Sequence, residues 1–117
     1  MSLLDSALWE GKIYLNGWRA GGGGTGTSIE PATGEELGSY GVASVADVRE
    51  AATAAATAQK EWAARNPEDR AAILRRAGQL WEEHAAEIQD WLVRESGGIP
   101  PKAGLETRAA APLGSSP

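Results

Sequence analysis

From Ser44 to Gly97 the apolar positions recur at helical spacing. Val45, Val48, Ala52, Ala55 and Trp62 form one stripe, with small alanines filling between. Ser44 suits an N-cap, and Asp47 three residues on brings a carboxylate to the positive helix end. Asn66-Pro67-Glu68-Asp69 restarts the pattern. Asn66 can cap, Pro67 lacks an N–H that would find no partner in a first turn, and both acids favour an N-terminus. Leu74, Ala77, Trp81, Ile88 and Leu92 carry a second stripe to Gly97-Gly98, a helix stop. No Gly or Pro lies between Gln79 and Ser96, so the pattern marks no break there. It predicts a helical hairpin with segments at about 45–64 and about 67–96.

Ahead of the helices the pattern turns extended, over about residues 12–41. Lys12-Ile13-Tyr14-Leu15 has strand character, and Asn16-Gly17 separates it from Trp18-Arg19-Ala20. Asn-Gly between β-formers predicts a tight hairpin, because both residues accept positive φ. Thr27-Ser28-Ile29-Glu30 is a second extended piece, Pro31-Ala32-Thr33-Gly34 a turn, and Glu36-Leu37-Gly38-Ser39-Tyr40 a returning strand weakened by its glycine. Strands first and helices after predict an α+β class. Ile99-Pro100-Pro101 cannot be helical throughout, and residues 107–117 show no periodicity and are expected to be disordered.

Composition narrows this. The chain has 117 residues, enough for one domain. Ten Leu, five Ile and four Val, with no Phe, make a thin aliphatic supply. It falls below the level of roughly 20% at which a chain struggles to bury enough apolar surface. The expectation is a chain rich in secondary structure and poor in core. Net charge is -5, with acids and bases interspersed, which argues against nucleic acid as a partner. No apolar run is long enough to span a membrane. Met1-Ser2-Leu3-Leu4 opens no signal peptide, since no basic stretch precedes it and an acid follows at once. A cytosolic location is the expectation. With no cysteine, disulfides, thiolate zinc and cysteine nucleophiles are excluded from this chain.

Few motifs carry chemistry. Gly21, Gly23 and Gly26 satisfy G-x-G-x-x-G, but no helix follows and the next residues are extended, so a hairpin connection explains them better than a dinucleotide loop. His84 is the sole histidine, and neither metal binding nor acid–base work proceeds without partners. Trp62, Trp81 and Trp91 could form an aromatic box, yet their helical spacing predicts packing. Gly78 inside a helix predicts close approach of a neighbouring element. Glu82, Glu83, Glu87 and Asp90 read as surface charge, with Arg75 and Arg76 able to pair one turn away. No nucleophile, base and oxyanion site assemble from these residues.

Several segments together resemble a known family. They are Tyr14-Leu15-Asn16-Gly17-Trp18, Ile29-Glu30-Pro31-Ala32-Thr33-Gly34-Glu35, Gln59-Lys60-Glu61-Trp62, Pro67 through Leu74, and Arg94-Glu95-Ser96-Gly97. In that order and spacing, over residues 8–106, they resemble the N-terminal part of an NAD(P)-dependent aldehyde dehydrogenase. Val93 through Gly98 and Lys102 through Glu106 look most like the benzaldehyde-type branch. Many members carry Glu-x-Gly-Lys, where this chain has Gly98 in place of the Lys. The resemblance implies an α+β fragment of the α/β dehydrogenase fold and a helix break near Glu83 to Ala85. The family's nucleophilic Cys, general-base Glu, oxyanion Asn and cofactor-binding strands lie downstream. No catalytic, cofactor-binding or metal residue is therefore carried over, and NAD or NADP belongs to full-length members only. Some members hold a monovalent cation near the positions of Ser28-Ile29 and Glu95.

Two functions follow. One is a truncated segment, inactive alone, whose parent oxidises an aldehyde, an aromatic one on the benzaldehyde-type likeness, to the acid. The other is a stand-alone helical module that binds a protein partner through a Trp-lined face. The thin aliphatic supply favours the first. Self-association, or association with dehydrogenase subunits, is expected through exposed helical faces. Residues 107–117 resemble GC-rich coding sequence read out of frame, so a frameshift near codon 106 is a further expectation.

Overall fold

A computed structural model describes residues 2–111. A short helix α1 (Ser6–Trp9) leads into β1 (Lys12–Tyr14) and β2 (Trp18–Ala20), then β3 (Thr25–Ile29) and β4 (Glu36–Gly41). Four helices follow: α2 (Val45–Ala64), α3 (Pro67–Glu83), α4 (Ala85–Ser96) and α5 (Pro100–Ala110). The strands form two antiparallel pairs, β1–β2 and β3–β4. This is the α+β arrangement that strands first and helices after predict.

The first hairpin closes with Tyr14 opposite Trp18, leaving Leu15, Asn16 and Gly17 as its loop. Asn16 sits at φ 52° and Gly17 at φ 123°, the left-handed conformations that an Asn-Gly pair tolerates. Leu15 leaves the expected strand and is one of the few buried apolar side chains. In the second pair a bulge falls where Ser28 faces Gly38 and Ile29 faces Glu36. Gly26 lies opposite Tyr40, and a Cβ there would stand 2.5 Å from the Tyr40 ring. The phenol therefore folds across the glycine, and any side chain there would have to displace it.

Asp47 joins the strands to the helices. The Ser44 N–H donates to Asp47 Oδ2 at 2.8 Å, and the Asp47 N–H donates back to Ser44 Oγ at 3.2 Å, closing a capping box. The Gly22 N–H donates to the same Oδ2 at 2.8 Å, and Arg19 pairs with Oδ1 at 3.1 Å. These bonds, first those from Ser44 and Gly22, draw the Asp47 pKa down to about 2.

The covered stripe of α2 differs from the apolar one. Its partly covered positions include Asp47, Ala51, Ala54 and Trp62, while Val45, Val48, Ala52 and Ala55 face outward. Val45 is 70% exposed and Val48 60%. No side chain of α2 is buried. In α3 only Gly78 is buried, and Leu74 and Ala77 are exposed.

His84 ends α3 and begins α4, which places the helix break where the resemblance implies it. Gly97 ends α4 at φ 67°, its N–H donating to Val93 O at 2.9 Å. The αL turn needs the glycine because a Cβ there would be strained.

The tail differs from expectation. Residues 107–110, expected to be disordered, complete α5. Pro100 and Pro101 occupy the first helical positions, where a missing N–H leaves no gap. Ala103, Gly104 and Thr107 form the helix's buried face, and α5 packs against α4. Small residues gave no aliphatic stripe to detect, yet they let two helices approach closely. Trp81 Nε1 donates to the Thr107 carbonyl at 2.9 Å. That carbonyl lies in the last turn of α5, where backbone acceptors lack an intrahelical partner. Residues 112–117 lie outside the described residues.

The core is small. Leu15, Ile88 and Ala103 are its buried apolar members among the described residues. The radius of gyration is 16.9 Å, against about 13 Å for a compact domain of this length. The accessible surface is 8304 Å², against about 6,100 Å² for a compact monomer of this mass. No helix among the described residues is long and apolar enough to cross a membrane.

Candidate functional site

Strands and α4 meet at an aromatic cavity of about 380 Å³. Trp9 at the end of α1 and Trp91 on α4 meet edge-to-face, ring centroids 5.5 Å apart. Trp18 from β2 and Tyr40 from β4 line the same space. Trp18 is itself steadied by an edge-to-face contact with Tyr14, 5.2 Å between centroids. Leu3, Leu4 and Leu8 supply an aliphatic wall, and Ser28, Ser39 and Glu95 supply the polar groups.

The wall at Leu3 and Leu4 is tied down by Glu87. Its carboxylate accepts from the Ser2 hydroxyl, from the Leu3 N–H at 2.9 Å and from the Leu4 N–H at 2.8 Å. Trp9 Nε1 donates to the Leu4 carbonyl at 2.9 Å, closing the strap from its other side. The Ser2 hydroxyl and then the two amides bring the Glu87 pKa down to about 2. Glu87 is therefore an anchor for the chain's first residues, and the expectation of plain surface charge is corrected. A sequence reading missed this because the partners stand more than eighty positions away.

The other sequence candidates separate. Trp62, Trp81 and Trp91 do not form a box: Trp81 serves α5, Trp91 meets Trp9, and only Trp91 reaches the cavity. The box that exists, Trp9, Trp18, Tyr40 and Trp91, draws on four elements and has no periodicity to reveal it. His84 Nδ1 lies 3.3 Å from Glu87 Oε2, a contact that supports the strap. Arg75 pairs with Glu68 at 2.8 Å and Arg76 with Glu83 at 3.0 Å. Each pair spans two helical turns, not the single turn expected. Arg94 pairs weakly with Glu30 and Asp90 and lies 5.3 Å from the Trp91 ring centre.

The glycine run is a packing device. A Cβ on Gly21 would lie 2.2 Å from the Val42 carbonyl oxygen, and one on Gly22 would lie 2.8 Å from Ser44 Oγ. The loop thus lies directly on the β4–α2 connection, and its Gly22 amide is spent on Asp47. Ser28 and Glu95, near which the resemblance implies a cation, line the same cavity. Among the described residues no group of three His, Cys, Asp or Glu side chains is placed to hold a metal.

A sequence model described as "Aldehyde dehydrogenase family" matches residues 18–113, which runs past the boundary at Glu106 implied by the resemblance. The chain is 52% identical over 111 residues to a vanillin dehydrogenase of Amycolatopsis sp., covering 95% of this chain and 23% of that protein. It is 43% identical over 98 residues to a benzaldehyde dehydrogenase (NAD+) of Pseudomonas putida, covering 84% of this chain and 20% of that protein. Its structure resembles the crystal structure of an NAD-dependent benzaldehyde dehydrogenase from Corynebacterium glutamicum, with a TM-score of 0.83 and 37% identity. That likeness covers 95% of this chain and 24% of the other. The chain thus spans under a quarter of the length of these relatives.

Proposed function

This chain belongs to the aldehyde dehydrogenase family, and from that premise we propose that it is the N-terminal segment of an NAD-dependent dehydrogenase acting on aromatic aldehydes. The parent converts the aldehyde to the acid, with NAD taking the hydride. The segment supplies a hairpin, a second strand pair and flanking helices on which the rest of the enzyme packs. By itself it performs no oxidation, since its 117 residues include no cysteine to form a thiohemiacetal. A cytosolic setting is part of this reading.

The carrying observation is the orientation of the apolar stripes. Val45 and Val48 on α2, and Ile73 and Leu74 on α3, are all at least 45% exposed. Patches of this kind mark contact surfaces. A stand-alone module would turn such residues inward, whereas a segment of a larger protein keeps them for its neighbours. Association with dehydrogenase subunits through these helical faces follows from the same observation.

The test uses the vanillin dehydrogenase of Amycolatopsis without its matched segment. Neither that remainder nor this chain should reduce NAD with vanillin or benzaldehyde. Co-expression of the two should restore aldehyde-dependent NADH formation and co-purification. Activity of this chain alone would refute the reading, as would a failure to associate with the remainder.

A further inference from the structure

Leu3, Leu4, Leu8 and Trp9, all ahead of β1, wall one side of the aromatic cavity. Little burial holds them there. No side chain of α1 is buried, and Leu3 and Leu8 remain exposed. Apolar contact therefore contributes little, and a segment held this way opens more readily than a packed helix or strand. Two points fasten it. Glu87 gathers the Ser2 hydroxyl and the Leu3 and Leu4 amides on one carboxylate. Bonds to an ionised acceptor are roughly twice as strong as neutral ones. Trp9 is the second point. Its ring meets Trp91 edge-to-face, and a Cβ on Gly38 would stand 3.1 Å from Cη2 of the same indole. Gly38 on β4 thus leaves the room in which that indole sits.

The far end of the segment is built to turn. Gly11 holds φ 66°, and its N–H donates to the Ser39 carbonyl at 3.0 Å. From that residue onward the chain is fixed to β4. Ahead of it, Lys12 Nζ donates to the Ala7 and Leu8 carbonyls at 3.2 Å each. A lysine's flexible four-carbon stem makes this a tether with slack, so α1 stays attached to β1 while it moves.

We propose that residues 2–9 are a hinged lid over the aromatic cavity, with Glu87 as its latch, Trp9 as its plug and Glu10–Gly11 as its hinge. Latched, the lid completes the cavity wall. Released, it leaves an open groove lined by Trp18, Tyr40 and Trp91, while the two strand pairs and α4 stay in place. Glu87 lies outside the cavity lining and acts on it through the lid. The proposal stands on these contacts and does not depend on the dehydrogenase reading.

Chymotrypsin provides the test, since it cuts after leucine and tryptophan and mass spectrometry locates each cut. The rate at a site follows the population of its open form. Digestion is run on the whole chain alone and on the chain co-purified with the vanillin dehydrogenase remainder; only the second arm draws on the dehydrogenase reading. Glu87→Gln should speed cutting after Leu4, Leu8 and Trp9 at least about tenfold, the scale of a bond to a charged acceptor. Cuts after Leu92 in α4 and Leu105 in α5 should stay within about twofold of the unaltered chain. Leu3→Pro removes one amide donor without touching α4, and should speed the cuts after Leu8 and Trp9 as well. A rise confined to the lid, in either arm, supports the proposal. An equal rise after Leu92 would assign Glu87 to holding α4 together and overturn its role as latch. Unchanged lid cutting in every form obtained would overturn the lid itself. Failure to co-purify, with the rise still seen in the chain alone, would count against the dehydrogenase reading and leave the lid standing.

Discussion

Trp81→Phe should loosen α5 while leaving the strands intact. The indole N–H reaches the Thr107 carbonyl at 2.9 Å, and Thr107 is only 3% exposed. Phenylalanine keeps most of the aromatic contact and removes the donor. The carbonyl then has neither an intrahelical partner nor free access to water. Leaving a buried acceptor unsatisfied costs about 1–3 kcal/mol, which corresponds to a roughly 5- to 150-fold rise in local opening. Amide hydrogen exchange measures this residue by residue. In the parent chain, amides from Ala103 to Ala110 should be protected. In Trp81→Phe that protection should fall by the factor given, with Gly26 and Tyr40 in the β3–β4 pair unaffected. Unprotected amides over 107–110 in the parent would return α5 to the disorder that composition suggests. Unchanged protection in the variant would show that the indole bond contributes nothing to holding the helix.

Further outcomes follow from the same structure. The chain buries about 53% of the surface of its unfolded form, less than the roughly 60% of marginal 60-residue domains. Alone it should therefore show strong far-UV helix signal, weak near-UV Trp signal and binding of a hydrophobic dye; a monodisperse monomer melting in one sharp transition would contradict this. Val48→Lys should change the stability of the isolated chain by no more than about 0.5 kcal/mol but block co-purification with the dehydrogenase remainder; equal association of both forms would show that this face of α2 is not a contact. Asp47, with its pKa drawn down to about 2, stabilises the fold above the ordinary aspartate range, and that contribution is lost as pH falls toward 2. Far-UV CD should thus show α2 weakening in that window, and Asp47→Asn should shrink the pH step to the part that Glu87, also drawn down to about 2, contributes; a step of equal size in the variant would assign it wholly to other carboxylates.

What was legible in the sequence follows physical range. Ser44 with Asp47, Asn66 with Pro67, and Gly97 act within one turn of the chain, so the starts of α2 and α3 and the end of α4 could be placed closely, while the break at His84 carried no local signal and came only from the resemblance. Asn16-Gly17 likewise fixed the first hairpin. Periodicity revealed an apolar stripe on α2 without revealing which side would be covered, because burial depends on a neighbour that the stripe does not name. The aromatic cavity was invisible, since Trp9, Trp18, Tyr40 and Trp91 come from separate elements. The Glu87 strap spans more than eighty residues and has no local signal. In α5, Ala103, Gly104 and Thr107 make a contact surface out of residues too small to register as hydrophobic.

Asp47 gives α2 the mechanics of a lever. The helix is pinned at its first turn by bonds to Ser44, Gly22 and Arg19, and none of its side chains is buried along the remaining length. Twenty residues span about 30 Å, so a tilt of about 5° at the pivot carries the Trp62 end through about 2–3 Å. The strand pairs set where α2 begins, and on the proposed reading a neighbour covering its exposed side would set where it points. Small rearrangements around one carboxylate would therefore reach α3 as displacements of atomic size, and backbone order parameters should decline steadily from Val45 toward Ala64 until that outer face is covered.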